Sequence, residues 1–220
     1  MHKLWKKLTR WVDRKPSRVT FTTRVIAYAL DWAIGGIICG LPAVVIYGLV
    51  TDRSDMFSDL YVFPSLGFSQ GWSYLAGILC LIVALIYYIY IPYKVYPGQT
   101  LGKHIMKLKI VRVDGEPLDI KTLVMRHLVG LILLEGVSVV VSRYLRQMLT
   151  LATGFYFEYY LTAIGGLITM ISGVIVYNTP SKRALHDYLA KTRVALWDEP
   201  EQVPIVKKVN QDIKNAINNA

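Results

Sequence analysis

Four stretches of this chain are almost free of charge and long enough to leave water altogether: residues 24–50, 72–92, 123–142 and 155–177. A helix needs ~20 apolar residues to cross ~30 Å of hydrocarbon, and each stretch reaches that length. As buried helices of a water-soluble core, four such segments would leave too little polar chain to cover them. Residues 1–23 form a basic amphipathic segment, and the apolar run behind them is too long for the core of a cleavable leader. The expected fold is an all-α integral membrane protein, a four-transmembrane-helix bundle.

The net charge of +10 would suit nucleic acid, but its distribution argues for membrane orientation instead. Lys3, Lys6, Lys7, Arg10, Arg14, Lys15 and Arg18 precede the first stretch, opposed by Asp13 alone. The 51–71 loop is acidic, whereas the 93–122 loop carries Lys94, Lys103, Lys107, Lys109, Arg112 and Lys121. Lys182, Arg183, Lys191 and Arg193 follow the last stretch. Basic loops stay in the cytoplasm. Both termini are therefore expected inside a cell membrane, with anionic lipid as a partner of the cytoplasmic face. Arg143 and Arg146 depart from the rule, so residues 143–152 are expected as a short amphipathic segment on the outer surface. Tyrosines 87, 88, 90, 93 and 96 crowd one border, and Phe155, Tyr156, Phe157, Tyr159 and Tyr160 another, as interfacial belts do.

Apolar helices in lipid associate through close packing of small residues. Ala29, Ala33, Gly36 and Gly40 make one such stripe, and Thr162, Gly166, Thr169 and Gly173 another. They are expected as contact faces, pairing with each other being one option.

The 97–122 loop reads PGQTLGKHIMKLKIVRVDGEPLDIKT. GQTLGKH lacks the spacing and the Ser/Thr of a phosphate loop, which argues against nucleotide binding. LKIVRVDGEPL alternates up to a DG turn and predicts a small cytoplasmic β-hairpin. LGKHIMKL before it, and the stretch around Leu185–Leu189, read as short interfacial helices. Residues 197–220 read as a polar tail. Cys39 and Cys80 lie inside apolar stretches without CxxC spacing and read as buried small hydrophobes. No nucleophile–base pair or metal-ligand cluster is visible, so neither an enzyme nor a cofactor is expected.

The costly residues are the charges inside the oil. Asp31 lies about two turns into the first stretch. It shares a helix face with Arg24, yet the two are roughly 10 Å apart along the axis, and Arg24 leans away. Asp31 must be protonated, reach a hydrated vestibule, or find a cation from another segment, for which Arg126, Arg183 and His186 are available. Glu135 lies deeper, in the middle of LVGLILLEGVSVVVS, and Glu158 sits near the far border. Such groups face a bundle interior or a cavity. Asp31, Glu135 and Glu158, staggered by depth, would suit a proton or cation path. As structural groups, Arg24, Asp31 and Asp187 would instead clasp the cytoplasmic ends of the helices together.

RVIAYALDWAI, GQTLGKHIMKLKIVRVDG and ALHDYLAKTRV, in that order, resemble the RDD family, named for one arginine and two aspartates. The resemblance covers roughly residues 20–196, so that 24–196 reads as an RDD-type membrane domain. It maps the arginine onto Arg24 and the aspartates onto Asp31 and Asp187, with Arg126, Arg183 and His186 as neighbouring polar groups. It implies architecture more than chemistry and brings no catalytic residue or cofactor. Two functions follow. One is transport of a cation or small solute, with intramembrane carboxylates as coupling groups and a homo-oligomer as the natural assembly. The other is an accessory subunit or scaffold that binds a partner membrane protein or anionic lipid.

Overall fold

A computed structural model describes residues 15–136 and 139–200. The basic segment up to residue 14 and the tail from residue 201 lie outside the described residues.

Three helices are long and apolar enough to cross a membrane, over Phe21–Thr51, Gly71–Val95 and Phe157–Asn178. The first, α1 (Phe21–Thr51), starts where the Thr20 side chain accepts the Thr23 N–H, and stops where Asp52 turns left-handed and returns its N–H to Gly48. Its buried stripe steps by four through Ala27, Asp31, Gly35, Cys39 and Ala43, one face of a helix. A short helix, α2 (Val62–Ser65), caps the far end and buries Phe63. The second long helix begins as α3 (Gly71–Leu85) and continues as a π-helix over Ile86–Val95. The wider turn lets consecutive residues face inward: Tyr87 and Tyr88 are both buried against α1. They belong to the interior, not to an interfacial belt, whereas Tyr90 remains half exposed.

The loop after it folds into α4 (Leu101–Ile105) and strand β1 (Leu108–Arg112). The third apolar stretch is not one continuous span. It runs as α5 (Ile120–Leu123), a π-helix over Val124–Leu134, an interruption, and then α6 (Val140–Thr153). Glu-Gly after an apolar run is a helix stop. Glu135 gives its N–H to Gly130, and Val139 is extended. An interrupted helix frees carbonyls that must be satisfied where water is scarce. Here side chains do this: Ser142 Oγ donates to the Ile132 carbonyl at 2.8 Å, Thr169 Oγ1 to that of Glu135 at 2.5 Å, and Arg146 Nη2 to that of Gly136 at 3.2 Å.

That use of Arg146 corrects the expectation of an outer-surface segment. Helix α6 packs between α3 and the last long helix, α7 (Phe157–Asn178), with Tyr144, Arg146 and Gln147 buried. Gln147 accepts the Leu60 N–H at 3.1 Å and so ties α6 to the far-end loop.

The chain closes through α8 (Leu185–Leu189) and β2 (Thr192–Leu196). The predicted local hairpin does not form. The DG turn is present, with Gly115 at φ 77, but β1 pairs antiparallel with β2, Ile110 opposite Val194. A partner strand with its own alternating pattern and a docking site on α1 outcompetes the following loop, which carries Pro117. The inner face of this sheet packs Leu108 and Val194 on Val19 and Ala27. The pairing of small-residue stripes with each other is also absent. Ala29 and Ala33 are exposed, Gly36 and Gly40 face Val140 of α6, and Gly173 faces open space.

Candidate functional site

The buried charges gather at the sheet end of the bundle because two loop segments fold back onto the long helices. The first is GQTLGK. Asp31, 4 % exposed, is surrounded by it: Lys103 Nζ donates to Oδ2 at 2.7 Å, Thr100 Oγ1 to the same oxygen at 2.6 Å, and the Gly102 N–H to Oδ1 at 2.8 Å. Tyr87 donates to Oδ1 at 3.0 Å. The approach needs Gly102, since a Cβ there would stand 2.6 Å from the Ala27 carbonyl and the Asp31 nitrogen. Burial lowers the Lys103 ammonium below its usual range, against the opposing pull of Asp31.

The second segment is RALHD. Asp187, fully buried, bridges two guanidinium groups. Arg24 Nη2 reaches Oδ2 at 2.5 Å, and Arg126 Nη1 donates to Oδ1 and also, at 2.5 Å, to Thr192 Oγ1. The same carboxylate accepts the Ala184 N–H at 2.9 Å, closing the first turn of α8. Burial alone would raise the Asp187 carboxyl, but Arg126 first, then Arg24 and His186, hold it well below the usual carboxylate range. Arg183 donates to the Thr192 and Asp187 carbonyls at 2.9 and 3.2 Å and lies over the Tyr188 ring.

One helical turn carries both anchors, for His186 binds Glu135 beside this clasp. Its backbone N–H donates at 2.8 Å and its Nδ1 at 3.0 Å, while Ser172 Oγ donates at 3.0 Å. Gly130 makes the contact possible: a Cβ on it would lie 2.6 Å from that of His186. Glu135 thus stands at the end of the interrupted helix, held from α7 and α8 together.

These groups form the floor of a cavity of ≈ 220 Å³ between α1 and α7. Asp31, Lys103, Arg24, Arg126, His127, Glu135 and His186 line it, below apolar walls that include Trp32, Leu131 and Val176. Glu158 is at the opposite end, where it accepts Tyr61 Oη at 2.8 Å, Gln147 Nε2 at 3.1 Å and Arg143 Nε at 3.3 Å. No cluster of three or more metal-ligating side chains occurs among the described residues.

The structure therefore brings Arg24, Arg126, Arg183, His186 and Asp187 into one network and places Asp31 beside it. Asp31 finds neither of the arginines nor the histidine the sequence offered, but Lys103. In the sequence Lys103 is one loop cation among several, and the close approach at Gly102 is what lowers it onto α1. The site's other hidden member is His127, 2 % exposed and stacked on Tyr88 at 5.6 Å between centroids. Nothing in its apolar surroundings distinguished it from a core residue.

Among models of known protein families, that of the RDD family matches residues 18–191. No curated protein and no solved structure matches the chain.

Proposed function

Because the chain belongs to the RDD family, we propose that it is a multi-pass protein of the cell membrane that binds a small solute in the cavity between α1 and α7 and moves it by proton-coupled rearrangement of the sheet-end segments. In this reading the interrupted segment Ile120–Thr153 is the fourth crossing, and both termini are cytoplasmic. The basic residues flanking the sheet end support that orientation.

The observation that carries the reading is the interruption itself. Discontinuous helices at membrane depth mark binding sites, because their freed backbone groups are tolerated only where protein or a cavity receives them. Here the break carries Glu135, and Glu135 holds α8. Protonating Glu135 removes the charge that the His186 N–H and Nδ1 both address. Helix α8 then loosens and the cavity opens to the cytoplasm. Asp31, capped by the 100–103 segment, is the second gate of the same design.

Sealed vesicles containing the purified chain test this: an imposed pH gradient drives flux of a transported solute, Glu135→Gln abolishes it, and Lys109→Ala preserves it. Lys109 lies on the sheet, its Nζ on the Glu199 carbonyl at 2.9 Å. Flux unaffected by Glu135→Gln overturns the mechanism. A second reading, an accessory subunit, is favoured by α7, whose Leu167, Met170 and Tyr177 are all more than 60 % exposed. That face also suits a homo-oligomer. Absence of flux together with stable co-purification of one membrane partner from native membranes selects the accessory role.

A further inference from the structure

The cavity floor is short of acceptors. Arg126, 1 % exposed, uses Nη1 on Asp187 and Thr192 but leaves Nε without a partner. Arg24 uses Nη2 and leaves Nη1 without one. Neither ring nitrogen of buried His127 has a partner, and at least one of them is an N–H donor. The carboxylates are in the opposite state. Asp31 receives four donors, Glu135 three, and Asp187 is bridged between Arg24 and Arg126. Among the described residues, no carboxylate oxygen on the floor lacks a partner. Buried donors left unpaired cost free energy, so the group that completes this site brings oxygen acceptors and negative charge. A cation would meet carboxylates that are already occupied.

The walls select among anions. Along α1 the lining extends from Phe21 and Arg24 to Trp32, roughly 16 Å at 1.5 Å per residue. Apolar residues flank these polar groups: Val25 follows Arg24 and Trp32 follows Asp31 along α1, with Val139 and Val176 on the facing segments. The mouth is also apolar: Val25 is 45 % and Trp32 54 % exposed, and Gly173 on α7 faces open space. In a bilayer those outward flanks meet acyl chains. A free aqueous ion has no use for such an entrance, whereas an amphiphile already lies against it.

We propose that this cavity seats the phosphodiester of one anionic phospholipid, entering sideways between α1 and α7, with Arg24, Arg126 and His127 around the headgroup and the acyl chains along Val25 and Trp32. Arginine and phosphate oxygens are matched in geometry and charge. The proposal rests on reading this cavity as the binding site and names its ligand class. It makes the lipid either the transported solute or a resident part of the site.

The experiment is native mass spectrometry of the full chain in detergent, offered phosphatidylglycerol, phosphatidylcholine, diacylglycerol or inorganic phosphate. One phosphatidylglycerol per chain should be retained, about tenfold more tightly than diacylglycerol, as one charge-assisted interaction provides, and more tightly than zwitterionic phosphatidylcholine. Gly173→Trp closes the mouth without touching an ion pair, and His127→Phe keeps the stacking on Tyr88 while removing both nitrogens. Each should lower retention about tenfold with the helical circular dichroism unchanged. Equal retention of diacylglycerol or phosphatidylcholine overturns the proposal, as does saturation by inorganic phosphate alone or full retention in both variants. Flux is read separately. A chain that keeps the lipid but shows no pH-driven flux fails as a transporter and leaves the lipid seat standing; flux without lipid retention does the reverse.

Discussion

Asp187→Asn is the most informative single change, because one buried carboxylate serves two buried cations. The side chain is fully buried, Arg126 is 1 % exposed and the Arg24 side chain 10 %. Asparagine retains the shape and one acceptor but withdraws the charge that compensates both guanidinium groups. Breaking a buried ion pair from one side costs ~3–5 kcal/mol, because the remaining charge stays buried without its partner. For a chain of this size each kcal/mol moves the melting temperature by ~2–4 °C, so the drop should be roughly 6–20 °C. The assay is thermal unfolding of the purified chain in one detergent, followed by circular dichroism. Adding Arg126→Met to Asp187→Asn removes one of the stranded cations and should restore about half of the loss. A shift below about 2 °C for Asp187→Asn, or no recovery in the double variant, would refute the claim that electrostatics holds α8 in place.

Three further outcomes follow from the same geometry. The Asp187 carboxyl is depressed in the folded state, so its stabilisation is fully present above the unfolded value of ~3.9 and is lost as pH falls through the lower folded value. The melting temperature should therefore fall steeply below about pH 4 in the native chain and less steeply in Asp187→Asn; parallel acid limbs would contradict this. Gly102→Ala forces a methyl against the Ala27 carbonyl and Asp31, so it should cost ~1–3 kcal/mol and raise hydrogen exchange selectively over residues 97–105. Val111 lies opposite Arg193 in the sheet register. Cysteines at those two positions should cross-link under mild oxidation, whereas a local hairpin within 108–118 would leave them unlinked.

Legibility differed between charges and their partners. Asp31 and Glu135 stood out because a carboxylate within an apolar run has few tolerable environments. Lys103 and Ser172 did not, since a loop lysine and a helix serine fit many environments equally well. The break in the third stretch was written as Glu135-Gly136, but apolar residues on both sides gave it the composition of a continuous span. Arg146 looked like a surface residue for the same reason: nothing in its neighbours announced that a freed carbonyl of Gly136 lay within reach.

By itself, the sequence determined the solvent. Blocks of about 20 apolar residues have no stable home in water, and three of the four became helices of membrane-spanning length nearly as bounded by their composition. It determined also that a few acids would need shelter. Which groups provide that shelter was decided by the tertiary structure alone, because Lys103 meets Asp31 across 72 positions and Arg24 meets Asp187 across 163. β1 likewise chose the distant β2 over its own neighbour. Such contacts depend on which backbones can approach closely, at Gly102 and Gly130, and on which buried donors remain to be satisfied once the chain has closed on itself. Hydropathy counts transfer from water one segment at a time, whereas pairing energy belongs to two segments at once.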